Sequence, residues 1–162
     1  MYKINDLIIY KKEVCKIIEI IPNYYKNQDY YLLSQLSDNS LTIKIPINNK
    51  EIRPLITKEE VNKIIKKIPN IKIIESDTKT LESIYKELIN NGTHEDLIKI
   101  IKTSYLRNKE RIDNNKKTTD KDMYYFNLAE KYLYNEFSVV LNLSYDETKE
   151  YVINSVNNIT NK

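Results

Sequence analysis

Few side chains in this sequence could do chemistry on a substrate. A thiol nucleophile needs a nearby base or positive charge to make its thiolate. The only cysteine, Cys15, lies in a β-branched run far from the only histidine, His94, and reads as a buried strand residue. His94 follows Thr93 at a predicted helix start, where an exposed imidazole is expected. Paired carboxylates could serve as general acid and base, and Asp120, Asp122, Glu130 and Glu136 would lie along one long helix. No ligand cluster accompanies them, and capping plus solubility account for them. The single glycine, Gly92, cannot build a GxGxxG or Walker-type phosphate loop, since both need several glycines. One histidine and one cysteine exclude paired-His and Cys-based metal sites. The chain reads as a non-enzyme, with no cofactor, catalytic residue or metal expected.

A length of 162 residues fits one domain or two small ones. Lys and Arg total 26 against 23 Asp and Glu, for a net +3. That is too mild for a general electrostatic grip on nucleic acid. Hydrophobic residues at 41% and charged residues at 30% are ordinary for a globular protein. One cysteine allows no intrachain disulfide and suits a reducing compartment. No apolar run reaches the ~18–20 residues that span a bilayer. The opening MYKINDLIIY mixes charges into a strand-like alternation, unlike a signal peptide. A soluble, cytoplasmic protein is expected.

Ile, Asn, Lys and Tyr make up about half the chain. Codons for all four are rich in A and T, so the 14 tyrosines are no evidence of a stacking surface. Arginine occurs only as Arg53, Arg107 and Arg111, which makes each one more informative than a typical lysine.

To position these residues, the chain offers two kinds of pattern. Residues 2–56 follow strand rules. Tyr2 to Ile9 makes a short run that residues 11–13 could turn, and a β-branched block, 14–21, ends at Pro22. Residues 23–29 read as a polar connection, 30–36 as a third strand, and 37–40 (SDNS) as a turn. Residues 41–47 (LTIKIPI) alternate, with Leu41, Ile43, Ile45 and Ile47 on one face and Thr42 and Lys44 on the other. A fifth short strand covers 51–56. Five short strands predict a small antiparallel barrel or strongly curved sheet.

From Thr57 the period is helical. Thr57 with Glu60, Thr93 with Asp96, Thr119 with Asp122 and Ser144 with Glu147 each have the S/T-x-x-D/E form of a helix start. The stripes that follow are Val61, Ile64, Ile65 and Ile68; Leu97, Ile100, Ile101, Ser104 and Tyr105; Met123 to Leu141; and Tyr151, Val152 and Val156. A further helix from about Asp77 to Asn91 carries Leu81, Tyr85 and Ile89, with Gly92 expected as its left-handed terminator. The fold class is α+β: a β domain over 1–56, a helix and linker over 57–76, and an all-helical domain over 77–162.

Charge is unevenly placed. Between Lys99 and Lys117 seven cations face two acids, a local +5, while residues 120–150 carry a local −4. Such a basic stretch can touch a phosphate backbone. It can equally be a solvated face near a helix C-terminus, and composition by itself favours that.

Two stretches together resemble the CarD/CdnL family of bacterial RNA polymerase-binding transcription regulators. The first runs through Lys3–Asp6, Ile8–Tyr10, Ile17–Glu19, Asp29–Leu33, 41–46 and Ile52 to Leu55. It is similar to the family's Tudor-like domain, also found in transcription-repair coupling factors. The second comprises residues 88–92, 97–107, Thr119 with Asp122, and Ala129, Leu133 and Glu136. It is similar to the family's helical domain. The resemblance implies a non-enzymatic regulator whose β domain docks on the polymerase β subunit by edge-strand pairing. Here the strand would be Leu41, Thr42, Ile43, Lys44 and Ile45, with Arg53 at the family's basic position beyond it. It also implies a helical domain set against promoter DNA. The family's Trp wedge is absent, since this chain has no Trp and reads TKTL at 78–81. What remains for DNA is phosphate contact through Lys79, Lys86, Lys99, Lys102, Arg107 and Arg111. Alternative readings are a protein–protein adaptor on the polymerase without DNA contact, its acidic 120–150 face recruiting a second protein, and an RNA-binding translation-associated factor.

Overall fold

Ile8, Cys15, Ile17, Tyr31, Leu33 and Ile45 recur at strand spacing, and all six are buried in one cluster of the β unit. The computed structural model describes residues 1–161. It divides the chain into two compact units, residues 1–56 and residue 57 onward. The first holds β1 (Leu7–Tyr10), β2 (Glu13–Tyr25), β3 (Gln28–Gln35), β4 (Thr42–Pro46) and β5 (Ile52–Pro54). They form one antiparallel sheet in the order β4-β3-β2-β1-β5. Ile43 and Ile47 from one edge and Ile52 from the other pack on the same cluster. No ladder joins β4 to β5, so the sheet stays open where a barrel was expected.

β2 does not stop at Pro22. Its register against β3 shifts between Ile21 and Tyr25, and Pro22 sits in that irregularity. Asn23 turns left-handed there (φ 49°), its amide donating to Asp29 Oδ1 at 2.9 Å. The expected polar connection is instead a two-residue hairpin turn at Lys26 and Asn27, with φ 49° and 59°. Lys11 and Lys12 turn β1 into β2 in the same way, with φ 48° and 72°. Two successive left-handed residues match the right-handed strand twist, which is why Asn-Gly is favoured at such turns. Lysine pays roughly 1–2 kcal/mol for that backbone.

The second unit holds α1 (Lys58–Lys67), a 3-10 turn (Ile68–Asn70), α2 (Thr78–Asn91), α3 (His94–Asp113), α4 (Asp120–Leu141) and α5 (Tyr145–Thr160). Thr57, Thr93 and Ser144 form complete capping boxes with Glu60, Asp96 and Glu147. Asp77 and Thr119 accept from the amides of Thr80 and Asp122. Each satisfies a helix-start amide that would otherwise lack a partner. α3 packs most extensively on α4, and α1 packs against α4 and α5. The first helix therefore belongs to the helical unit, and 57–76 is not a separate segment. Residues 71–76 are tied down as well. Ile71 is buried, and the Ile74 amide donates to Thr103 Oγ1 at 2.9 Å.

Two local expectations are corrected. Tyr105 is 57% exposed, and Thr103 and Ser104 are buried beside it. Their hydroxyls donate to the carbonyls of Lys99 and Ile100. The buried line of α3 runs through Leu97, Ile100, Ser104 and Asn108, and Tyr105 lies about 100° round the helix from Ser104. Gly92 is extended (φ −86°, ψ 166°), not left-handed. A Cβ there would stand 2.2 Å from the Leu88 carbonyl oxygen and 2.8 Å from Asp96 Cβ. Glycine is needed because the end of α2 and the start of α3 approach too closely for a side chain. Left-handed residues end α4 at Asn142 (φ 55°) and follow α3 at Asn115 (φ 58°).

Candidate partner-binding edge and basic helical face

β4 pairs with β3 alone and forms one rim of the sheet. Its alternation is as expected: Ile45 is buried, Ile43 half-buried, and Thr42 and Lys44 exposed. Leu41, just before the strand, is 52% exposed. The Lys44 ammonium is 4.6 Å from the centroid of the Tyr24 ring and donates to its hydroxyl at 3.3 Å. Tyr24 in turn packs on Tyr30, with centroids 5.0 Å apart. These contacts hold Lys44 on the outer face beside the open rim. Arg53 lies on β5, at the other end of the strand order, and its Nη1 donates to the Pro54 carbonyl at 3.0 Å. The six residues of the expected docking set thus divide between the two sheet edges.

The expected DNA-facing cations have varied surroundings. Lys79 is exposed in the first turn of α2. Lys86 pairs with Glu82 at 3.8 Å and Lys99 with Asp96 at 3.6 Å, both along one helix. Lys102 turns inward. Its ammonium donates to the carbonyls of Ile68 (2.9 Å) and Ile71 (2.6 Å), and burial holds its pKa below the ordinary lysine value. At the end of the 3-10 turn it joins the Ile71 amide on the Ile68 carbonyl and also takes up the Ile71 carbonyl. Arg107 Nε lies 3.3 Å from both oxygens of Asp122, and Arg111 Nε donates to the Lys117 carbonyl at 2.7 Å.

Sequence reasoning missed two buried polar centres. Asp122 is only 2% exposed. Besides Arg107 it accepts from the Tyr85 hydroxyl at 2.9 Å and the Thr119 hydroxyl at 2.7 Å. Burial, followed by the Asp122 contact, drives the Tyr85 phenol well above its usual pKa. The second centre corrects the expectation for His94. Its side chain is 18% exposed, its Nε2 is 2.7 Å from Glu136 Oε1, and its ring stacks on Phe137. Glu136 is 2% exposed. Leu133 and Ala129, one and two turns earlier on α4, are buried too, on the same helix face as Glu136.

Cys15 is fully buried. Desolvation and then the nearby Glu13 charge push its thiol pKa up to about 11, which disfavours the thiolate a nucleophile needs. Among the described residues no group of His, Cys, Asp or Glu is placed to hold a metal ion. No helix among them is long and apolar enough to cross a membrane. A scan against protein-family models finds no match to this chain, and a search of curated proteins finds none either.

Proposed function

We propose that this chain is a transcription regulator of the CarD/CdnL kind. Residues 1–56 form a Tudor-like module that binds the RNA polymerase β subunit by adding a strand of that subunit to β4. The helical unit lies near promoter DNA, and the protein works in the cytoplasm. The observation that carries this reading is the open rim of β4, which has one face packed on the core and Lys44 presented on the other. An unpaired rim offers a row of backbone donors and acceptors, and strand addition uses them for affinity while side-chain pockets give specificity. Packing of both edge strands on one cluster also suits a strongly curled, Tudor-like sheet. A pull-down with purified core RNA polymerase tests the proposal. The wild-type chain retains the β subunit and Lys44→Glu loses it; absence of wild-type binding, or unchanged binding by the variant, overturns the reading.

A second reading, an adaptor on the polymerase without DNA contact, is favoured by the inward engagement of Lys102 and Arg107. Footprinting of a promoter complex separates the two. The regulator extends protection of upstream DNA, whereas the adaptor leaves it unchanged.

A further inference from the structure

Two of the three arginines of this chain line a single polar pocket of about 270 Å³ in the helical unit. Arg107 and Arg111 share it with Lys116, Glu110, Asn114 and Thr78. Each guanidinium is gripped through its Nε. Asp122 holds Arg107 at 3.3 Å, and the Lys117 carbonyl holds Arg111 at 2.7 Å. Neither grip uses a terminal nitrogen, and no terminal nitrogen of either arginine makes a hydrogen bond among the described residues. The Lys116 amide donates to the Arg111 carbonyl at 2.7 Å, closing the loop that carries the third cation to the pocket.

Three cations therefore meet one acid, Glu110, on the pocket lining. The Asp122 carboxylate behind Arg107 offsets part of that excess, which stays positive. We infer that this pocket binds a phosphoryl group. A guanidinium presents its N–H groups as a planar fork that matches two phosphate oxygens. A free arginine must give up side-chain rotamer freedom to make that contact. Here the Nε bonds have already fixed both forks, so a ligand meets preorganised donors. A terminal phosphate carries nearly two negative charges and fits a concave pocket; a phosphodiester carries one and offers the same oxygens. The pocket stands independently of polymerase docking, which depends on the other unit.

The test uses the full chain without polymerase, at constant ionic strength set with chloride. Inorganic phosphate is titrated in while the Nε–Hε resonances of Arg107 and Arg111 are followed by NMR. Saturable shifts of both resonances are expected. Arg111→Ala weakens binding about tenfold or more, Arg111→Lys recovers little because the fork is lost, and Glu110→Gln tightens it severalfold. A short DNA duplex without terminal phosphates forms the second arm. Shifts of the same resonances that phosphate competes away assign the pocket to a nucleic-acid backbone; response to inorganic phosphate alone assigns it to a terminal phosphoryl group. Resonances indifferent to both ligands, or affinity unchanged in Arg111→Ala, overturn the inference.

Discussion

The Tyr85 hydroxyl donates to Asp122 Oδ1 across 2.9 Å, and the two residues are only 1% and 2% exposed. This bond joins α2 to α4, and Arg107 brings α3 to the same carboxylate. One side chain thus ties three helices together while its own backbone amide donates to the Thr119 hydroxyl that caps α4.

Asp122→Ala leaves a half-buried guanidinium, a buried phenol and a capping hydroxyl short of their acceptor. It is expected to cost about 2–4 kcal/mol, since several bonds to one carboxylate are lost but the stranded cation still reaches solvent. Tyr85→Phe removes one bond and leaves the others, costing about 1–2 kcal/mol. Denaturant unfolding of both variants checks the order, and equal losses would contradict the hub role.

Gly92→Ala forces a Cβ against the Leu88 carbonyl, and overpacking of this kind costs about 1–3 kcal/mol. Gly92→Asn is expected to be no better. Asparagine tolerates left-handed backbone, but this position is extended. Rescue by asparagine in thermal unfolding would restore the left-handed reading.

Lys102→Met keeps the stem and removes two charged hydrogen bonds to the carbonyls of Ile68 and Ile71. The expected cost is about 1.5–3 kcal/mol. If the chain binds DNA, this variant leaves the salt slope as it was, whereas loss of a phosphate contact lowers it by about one unit. Stability and salt titration together distinguish the inward lysine from a DNA-facing one.

Stability should fall at alkaline pH. The Cys15 thiol is raised from 9.0 to about 11, and the Tyr145 phenol from 10.0 to about 12, each chiefly by burial. Above pH 9 the unfolded chain releases the thiol proton that the folded chain keeps, so the unfolding free energy declines until about pH 11. The thiol contributes at most about 1.4 kcal/mol per pH unit. Denaturant titrations between pH 8 and 11 should show a shallower decline in Cys15→Ala; identical slopes would refute the thiol's part.

Much of the fold is readable from short stretches because the forces that shape them act over a few residues. A hydroxyl three positions before a carboxylate is enough to start α1, α3 and α5, and the alternation over 41–47 is enough to place Ile45 inside and Lys44 outside. The hairpin at Lys26 and Asn27 escaped because left-handed turns normally advertise themselves with glycine. A chain with one glycine makes them from Asn and Lys.

By itself, then, the sequence determined the α+β division, the capped helix starts and the alternation of the rim strand, all matters of neighbours along the chain. Only the tertiary structure decided that His94 meets Glu136 from 42 positions away, that Lys102 points at Ile68 and Ile71, and that Arg107 and Arg111 look into one pocket. Such pairings come from the packing of whole helices, and the choice between a buried bond and a solvated charge is made only when that packing excludes water.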